Sequence, residues 1–239
     1  MIELRQQTQG ADDTQSAYDV LYSDVAVMQH WDSYFHWILK QLKPTPGSSL
    51  LDVSCGTGLL MKAAHSYKLN SMGVDFSRVA VEEARRYGPA LLGNSERLPL
   101  PDSSFDYVVN LGSLEHFEDM ASGVKEMARV LKSDGEACIL VPNTYGLLWT
   151  IWHAKNTGDV FADDQPLQRY GSRMQWQRLL EENGLHVERV IGYELAPPKG
   201  LRHWWAYLRH PKIHMTKLLL WRFIPVNLAS MLVFFCRKG

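Results

Sequence analysis

The run Leu50 to Gly58, LLDVSCGTG, limits more than any other segment what this chain can fold into. Apolar positions around one acid read as a short buried strand, and glycines at 56 and 58 allow a tight turn into a helix over 57–67. The unit repeats. Ser71 to Asp75 is a second strand ending in an acid, and Ser77 caps a helix reaching Tyr87. Short apolar runs at 90–92, 105–110 and 136–141, with a helix over 119–131, continue the alternation, and the result is an α/β doubly wound, mostly parallel sheet.

A length of 239 residues suits one domain with elaborations, and 46% hydrophobic with 21% charged residues excludes a disordered chain, collagen or a coiled coil. The longest charge-free stretches are Ala137 to Ala154, broken by Pro142, Asn143 and Gly146, and Phe223 to Cys236. Neither is a membrane span. The start, MIELRQQTQGADD, lacks an apolar core, and three distant cysteines (Cys55, Cys138, Cys236) form no even set, so a reduced, cytoplasmic protein is expected. All 26 Asp and Glu lie at or before Glu194, whereas eight Lys and Arg follow it. An acidic body with a basic tail is unlike a nucleic-acid binder that is basic throughout.

The flanks are expected to be a helical lid region over 1–45, helical from Asp13 to Leu42, around a core at 46–194. A helix over 172–183 stops at Asn183-Gly184, a strand follows at 186–194, and the last strand falls within 230–239. Two long connections, 143–171 and 195–229, are lids or binding segments. The second holds Lys199, Arg202, Arg209, Lys212, Lys217 and Arg222 among Trp204, Trp205, Tyr207 and Trp221, which suits a cap over the site or an anionic membrane surface.

Glycines after a buried strand admit a nucleotide-like ligand, and Asp75 stands where a carboxylate accepts from ribose hydroxyls. The third glycine of a dinucleotide fingerprint would fall at position 61, which is Met. Met61 should hold helix and strand apart, which disfavours an NAD-dependent oxidoreductase and leaves it as an alternative.

These segments resemble the class I S-adenosylmethionine-dependent methyltransferases, and within them the type 11, ubiquinone-biosynthesis-like group. LLDVSCGTG is similar to the first family motif, GVDFS (73–77) to the second, and GNSERLPLPDSSFDYVV (93–109) to the adenine-contact segment; EMARVLKSDGEACILVPN is similar to the following helix and strand. The resemblance implies a seven-stranded sheet with an antiparallel last strand and S-adenosylmethionine as cofactor. It implies that Asp52 and the backbone of Ser54, Gly56 and Gly58 surround the methionyl part, with Ser54 where glycine is commoner. Asp75 would bind the ribose, Phe76 would cover the adenine or simply pack, and Asn94 would accept from the adenine amine or serve a turn. Ser95 would offer its N–H to adenine, and Asn110 and Leu111 would offer carbonyls to the methionine amino group. Tyr18 and Tyr22 resemble the aromatics of a family lid helix.

The segment LEHF follows the strand at 105–110, at the carboxyl edge where ligands bind in such sheets. His116 is the first general-base candidate and Glu115 the second; the competing reading makes LEHFED a structural helical turn. His210 and His214 have no third partner of suitable spacing, so no metal site is expected. A small-molecule or lipid-like acceptor is expected, with no nucleic acid; a non-catalytic cofactor-binding module is the other alternative.

Overall fold

The computed structural model describes residues 1–5, 16, 18–19, 32–162, 165–194, 220 and 223–239. Tyr22, His210, His214 and nearly all of the basic aromatic segment lie outside the described residues, as does most of the expected helix over 13–42.

Seven strands form the main sheet: β2 (Ser49–Val53), β3 (Asn70–Asp75), β4 (Ala90–Leu92), β5 (Phe105–Leu111), β6 (Leu131–Pro142), β8 (Leu185–Tyr193) and β9 (Met231–Lys238). Their spatial order is β4-β3-β2-β5-β6-β9-β8. The first five are mutually parallel, and β9 runs antiparallel to both neighbours. This is the doubly wound, mostly parallel sheet expected from the sequence. β2 is central, and Leu50, Leu51 and Val53 are wholly buried on its two faces, as a strand covered by helices on both sides must be.

Helices α1 (Asp32–Leu42) and α2 (Leu59–His65) cover one face through Ile38, Leu39, Leu60 and Ala64. α4 (Met120–Val130) and α6 (Arg173–Glu182) cover the other, with Val124, Met127, Trp176 and Leu180 against β5, β6 and β9. α3 (Arg78–Ala84) is capped by Ser77, whose hydroxyl accepts from Ala80 N–H. α6 opens on a capping box, Ser172 with Gln175. The connection at 143–171 contains its own elements, α5 (Thr150–Thr157) and β7 (Leu167–Tyr170). A further strand, β1 (Ile2–Arg5), pairs antiparallel with β7 in a separate two-stranded sheet.

Met61 does not hold α2 away from the sheet. It is fully buried, and its sulfur occupies space that Gly73 on β3 leaves open: a Cβ at Gly73 would stand 2.8 Å from Met61 Sδ and 2.6 Å from Cys55 Sγ. The glycine needed for close packing is on the strand rather than the helix. Gly73→Ala should therefore cost about 1–3 kcal/mol by overpacking. In urea unfolding the Gly73→Ala, Met61→Ala double variant should lose less than the two single losses combined. Strict additivity would refute the contact.

Candidate active site

The loop after β2 carries three left-handed backbone positions, Ser54, Gly56 and Gly58, with φ of 59°, 51° and 79°. Glycine adopts that region freely, and Ser54 does so at some cost. Its hydroxyl lies 3.0 Å from the Ser95 hydroxyl, which ties this loop to the one after β4. At Gly58 a Cβ would come within 2.9 Å of Ala84 Cα, so the turn passes too close to α3 for any side chain.

The curl brings Gly56 N–H to Asp75 Oδ2 at 2.8 Å, while Asp75 Oδ1 accepts from Ser77 N–H at 2.9 Å. With a third backbone hydrogen bond from Phe76, the carboxylate keeps one of its four acceptor positions. Asp75 is buried at the wall of a cavity of about 200 Å³, also lined by Tyr18, Ser54, Phe76, Asn94, Ser95 and His116. Burial raises the Asp75 carboxyl to about 6 despite its backbone hydrogen bonds. Asp52, behind the loop, is pushed up to about 8 by burial and by Asp75.

Asn94 lines the cavity, and its Oδ1 accepts from Glu96 N–H at 2.8 Å, a turn bond that leaves one lone pair on that oxygen. Asn110 is wholly buried. Its Nδ2 donates to the Val53 carbonyl and its Oδ1 accepts from Leu114 N–H, both at 3.1 Å, so its side chain clamps the end of β2 to the turn beyond β5. Leu111 ends β5 beside Gly112 and Ser113, which line the cavity. A structural clamp at Asn110 was not foreseen, because sequence position does not say which way a strand-end side chain turns.

That turn is a single 3-10 helix over Leu114–His116. His116 lines the cavity, and both His116 and Glu115 have side chains under one-tenth exposed, with Nε2 4.0 Å from Glu115 Oε1. The His116 ring donates from Nδ1 to the Leu167 carbonyl of β7. Sequence reasoning also missed Glu96, Glu118 and Gln165 in the lining, the last two carried by segments whose approach depends on β7.

The donor set suits S-adenosylmethionine. Ser54, Asn94 and Ser95 line the cavity beside a buried carboxylate that keeps an acceptor position, and two acids whose ionisation burial opposes would be relieved by a cationic ligand. Among the described residues no group of three His, Cys, Asp or Glu is placed to hold a metal ion.

The two acids also give the protein a pH dependence. Folding raises both above the unfolded value of 3.8, so between about pH 4 and 8 the folded state binds more protons and stability falls as pH rises. Asp52→Asn should remove the Asp52 share: its stability relative to wild type should climb across that window, by up to about 1.4 kcal/mol per pH unit, and level off above it. Urea unfolding at several pH values reads this, and a pH-independent difference would refute it.

A methyltransferase domain family of type 11 matches residues 51–139, the span from β2 into β6. A demethylmenaquinone methyltransferase of Shouchella clausii is 35% identical over 52% of this chain and 57% of its own length. A ubiquinone/menaquinone biosynthesis C-methyltransferase of Geotalea uraniireducens is 37% identical over 43% and 48%, and a mouse protein named as a probable tRNA methyltransferase 9B is 35% identical over 40% and 22%. The chain thus spans about half or less of the length of these curated relatives. Among solved structures, a chain from the complex of the Haloferax volcanii Trm112 methyltransferase activator with a methyltransferase superposes with a TM-score of 0.68 at 19% identity, covering 95% of this chain and 97% of that one. The [4+2]-cyclase SpnF superposes at 0.63 and 17%, covering 87% and 81%, so this likeness speaks for the fold alone. Residues 51–139 thus match the type 11 methyltransferase domain, the curated relatives of this region are S-adenosylmethionine-dependent methyltransferases, and the fold around it is Rossmann-like.

Proposed function

We propose that the chain transfers the methyl group of S-adenosylmethionine to a small-molecule or lipid-like acceptor. The observation that carries this reading is the placement of Asp75 and His116 on one cavity, with the glycine cradle beside the carboxylate. The cofactor supplies a methyl on a sulfonium, so the chain's residues have only to bind, align and remove a proton. Asp75 would accept from the ribose hydroxyls, with Asn94, Ser95 and Phe76 at the adenine. Asp52 and the loop backbone would face the methionyl part, together with the carbonyls of Asn110 and Leu111. His116, with Glu115 beside it, would take the proton from the acceptor atom.

Charge favours a small acceptor over nucleic acid. Glu96 and Glu118 line the cavity, and every acid of the chain lies in the body before residue 195, a field that repels a polyanion. We read residues 1–45 as a lid, supported by Tyr18 in the cavity lining, and residues 195–229 as a cap over the acceptor. Calorimetric titration tests the cofactor reading: S-adenosylhomocysteine should bind and NAD should not. Asp75→Ala should weaken binding by about 1.5–3 kcal/mol, the scale of a charge-assisted hydrogen bond. His116→Ala should leave that affinity unchanged and lower kcat on an identified acceptor by about 100-fold. NAD binding as tight as that of S-adenosylhomocysteine would overturn the assignment.

Contact of the 195–229 segment with an anionic membrane is the accompanying reading. Its six cations without an acid support it, as does Phe223 within it, 81% exposed. Among the described residues no helix is long and apolar enough to cross a membrane. Sedimentation with anionic vesicles should exceed that with neutral ones and decline with salt. Equal sedimentation with both would leave only the cap.

A further inference from the structure

The small sheet of β1 and β7 lies directly against the turn that carries His116. In its register Glu3 stands opposite Arg169 and Arg5 opposite Leu167. Residues two apart on a strand share a face, so Glu3 and Arg5 act on the same side. Arg5 Nη1 lies 3.0 Å from Glu118 Oε2, and Glu3 Oε2 accepts from Arg169 Nε at 2.7 Å. Arg169, with only 7% of its side chain exposed, donates from Nη1 to the Phe117 carbonyl and from Nη2 to the Glu118 carbonyl, closing the end of the 3-10 turn. Two residues earlier on the same strand, the Leu167 carbonyl receives His116 Nδ1. A carbonyl can only accept, so Nδ1 carries the hydrogen, and Nε2 is the ring atom that gains or loses a proton.

We propose that β1 and Arg169 form a strap that positions His116 and fixes its tautomer, with Glu3 holding Arg169, and Arg169 holding the turn against β7. The proposal deepens the methyltransferase reading and rests on it for the meaning of Nε2. As the acceptor atom bonds to the methyl carbon and the carbon–sulfur bond breaks, its proton passes to Nε2, leaving a neutral thioether and a doubly protonated ring. Arg169 and Glu3 are positioning residues; neither needs to touch the reacting atoms.

The test uses the full chain with 15N-labelled histidine and saturating S-adenosylhomocysteine. Long-range proton–nitrogen correlations report which ring nitrogen carries hydrogen, and His116→Gln identifies the His116 signals by their loss. Wild type should show the Nδ1–H form. Arg169→Gln and Glu3→Ala should each shift the ratio toward Nε2–H by about fivefold, the equilibrium value of one net hydrogen bond. Glu3→Gln, whose amide oxygen still accepts from Arg169 Nε but carries no charge, should shift the ratio less than Glu3→Ala. If Arg169→Gln does not fold, Glu3→Ala decides alone, since Glu3 is half exposed. Wild type in the Nε2–H form, or a ratio unmoved in the folded variants, would overturn the strap. Failure of wild type to bind S-adenosylhomocysteine would instead overturn the methyltransferase reading, and the tautomer, measured then on the free protein, would still stand or fall by itself.

Discussion

The carboxylate of Asp75 is the constraint on which the cofactor side depends. By accepting from Gly56 and Ser77 it ties the loops that leave β2 and β3, neighbouring parallel strands whose carboxyl ends would otherwise splay. Gly56 can reach it only if the chain curls through left-handed conformations at 54, 56 and 58, and this curl forms the cradle. The strain at Ser54 is offset by its bond to Ser95, which adds a third loop to the assembly. The cost appears in the raised Asp75 and Asp52 carboxyls: two acids are held close in a buried place where ionisation is disfavoured until a cation arrives.

The acceptor side is held by longer-range bonds. Asn110 joins the last carbonyl of β2 to the first amide of the 3-10 turn, so the orientation of Glu115 and His116 is referred to the same central strand that carries Asp52. Beyond the turn, Glu118 N–H donates to Glu96 Oε1 at 2.7 Å, which joins the histidine segment to the loop carrying Asn94 and Ser95. A displacement at one wall of the cavity is therefore felt at the other through a few polar contacts.

What the sequence disclosed follows from the range of the forces involved. The main strands were legible because buried parallel strands are short apolar runs closed by acids or glycines, and Ser77 and Ser172 cap helices through contacts three residues away. The glycine cradle and Asp75 were legible for the same reason. Met61 was misjudged because its compensation, Gly73, lies on a different element and becomes its neighbour only in the folded sheet. The Asn94 turn bond, two residues long, was readable as a competitor; the Asn110 clamp, reaching Val53 across 57 residues, was not. β1 and β7 are four residues each, too short for periodicity to declare them, and they meet across more than 160 residues.

A strand as short as β1 needs a cause for its pairing. Ile2 and Leu4 are only partly buried, so apolar burial gives β1 little, and four residues of ladder are marginal. The stronger cause lies in Arg169, a buried guanidinium whose removal from water is costly unless it is paired. Two turn carbonyls satisfy its donors but carry no charge, and among the described residues Glu3 supplies its ion-pair partner. The Glu3 carboxyl is held below its usual range, led by its hydrogen bond to Arg169, as expected where the cation stabilises the ionised form. Both residues benefit, but unequally: Glu3 could be solvated elsewhere, while Arg169 without Glu3 would be a buried charge without a counterion. The need for the pair thus originates at the 3-10 turn, and β1 is held in place by the residue that holds the turn.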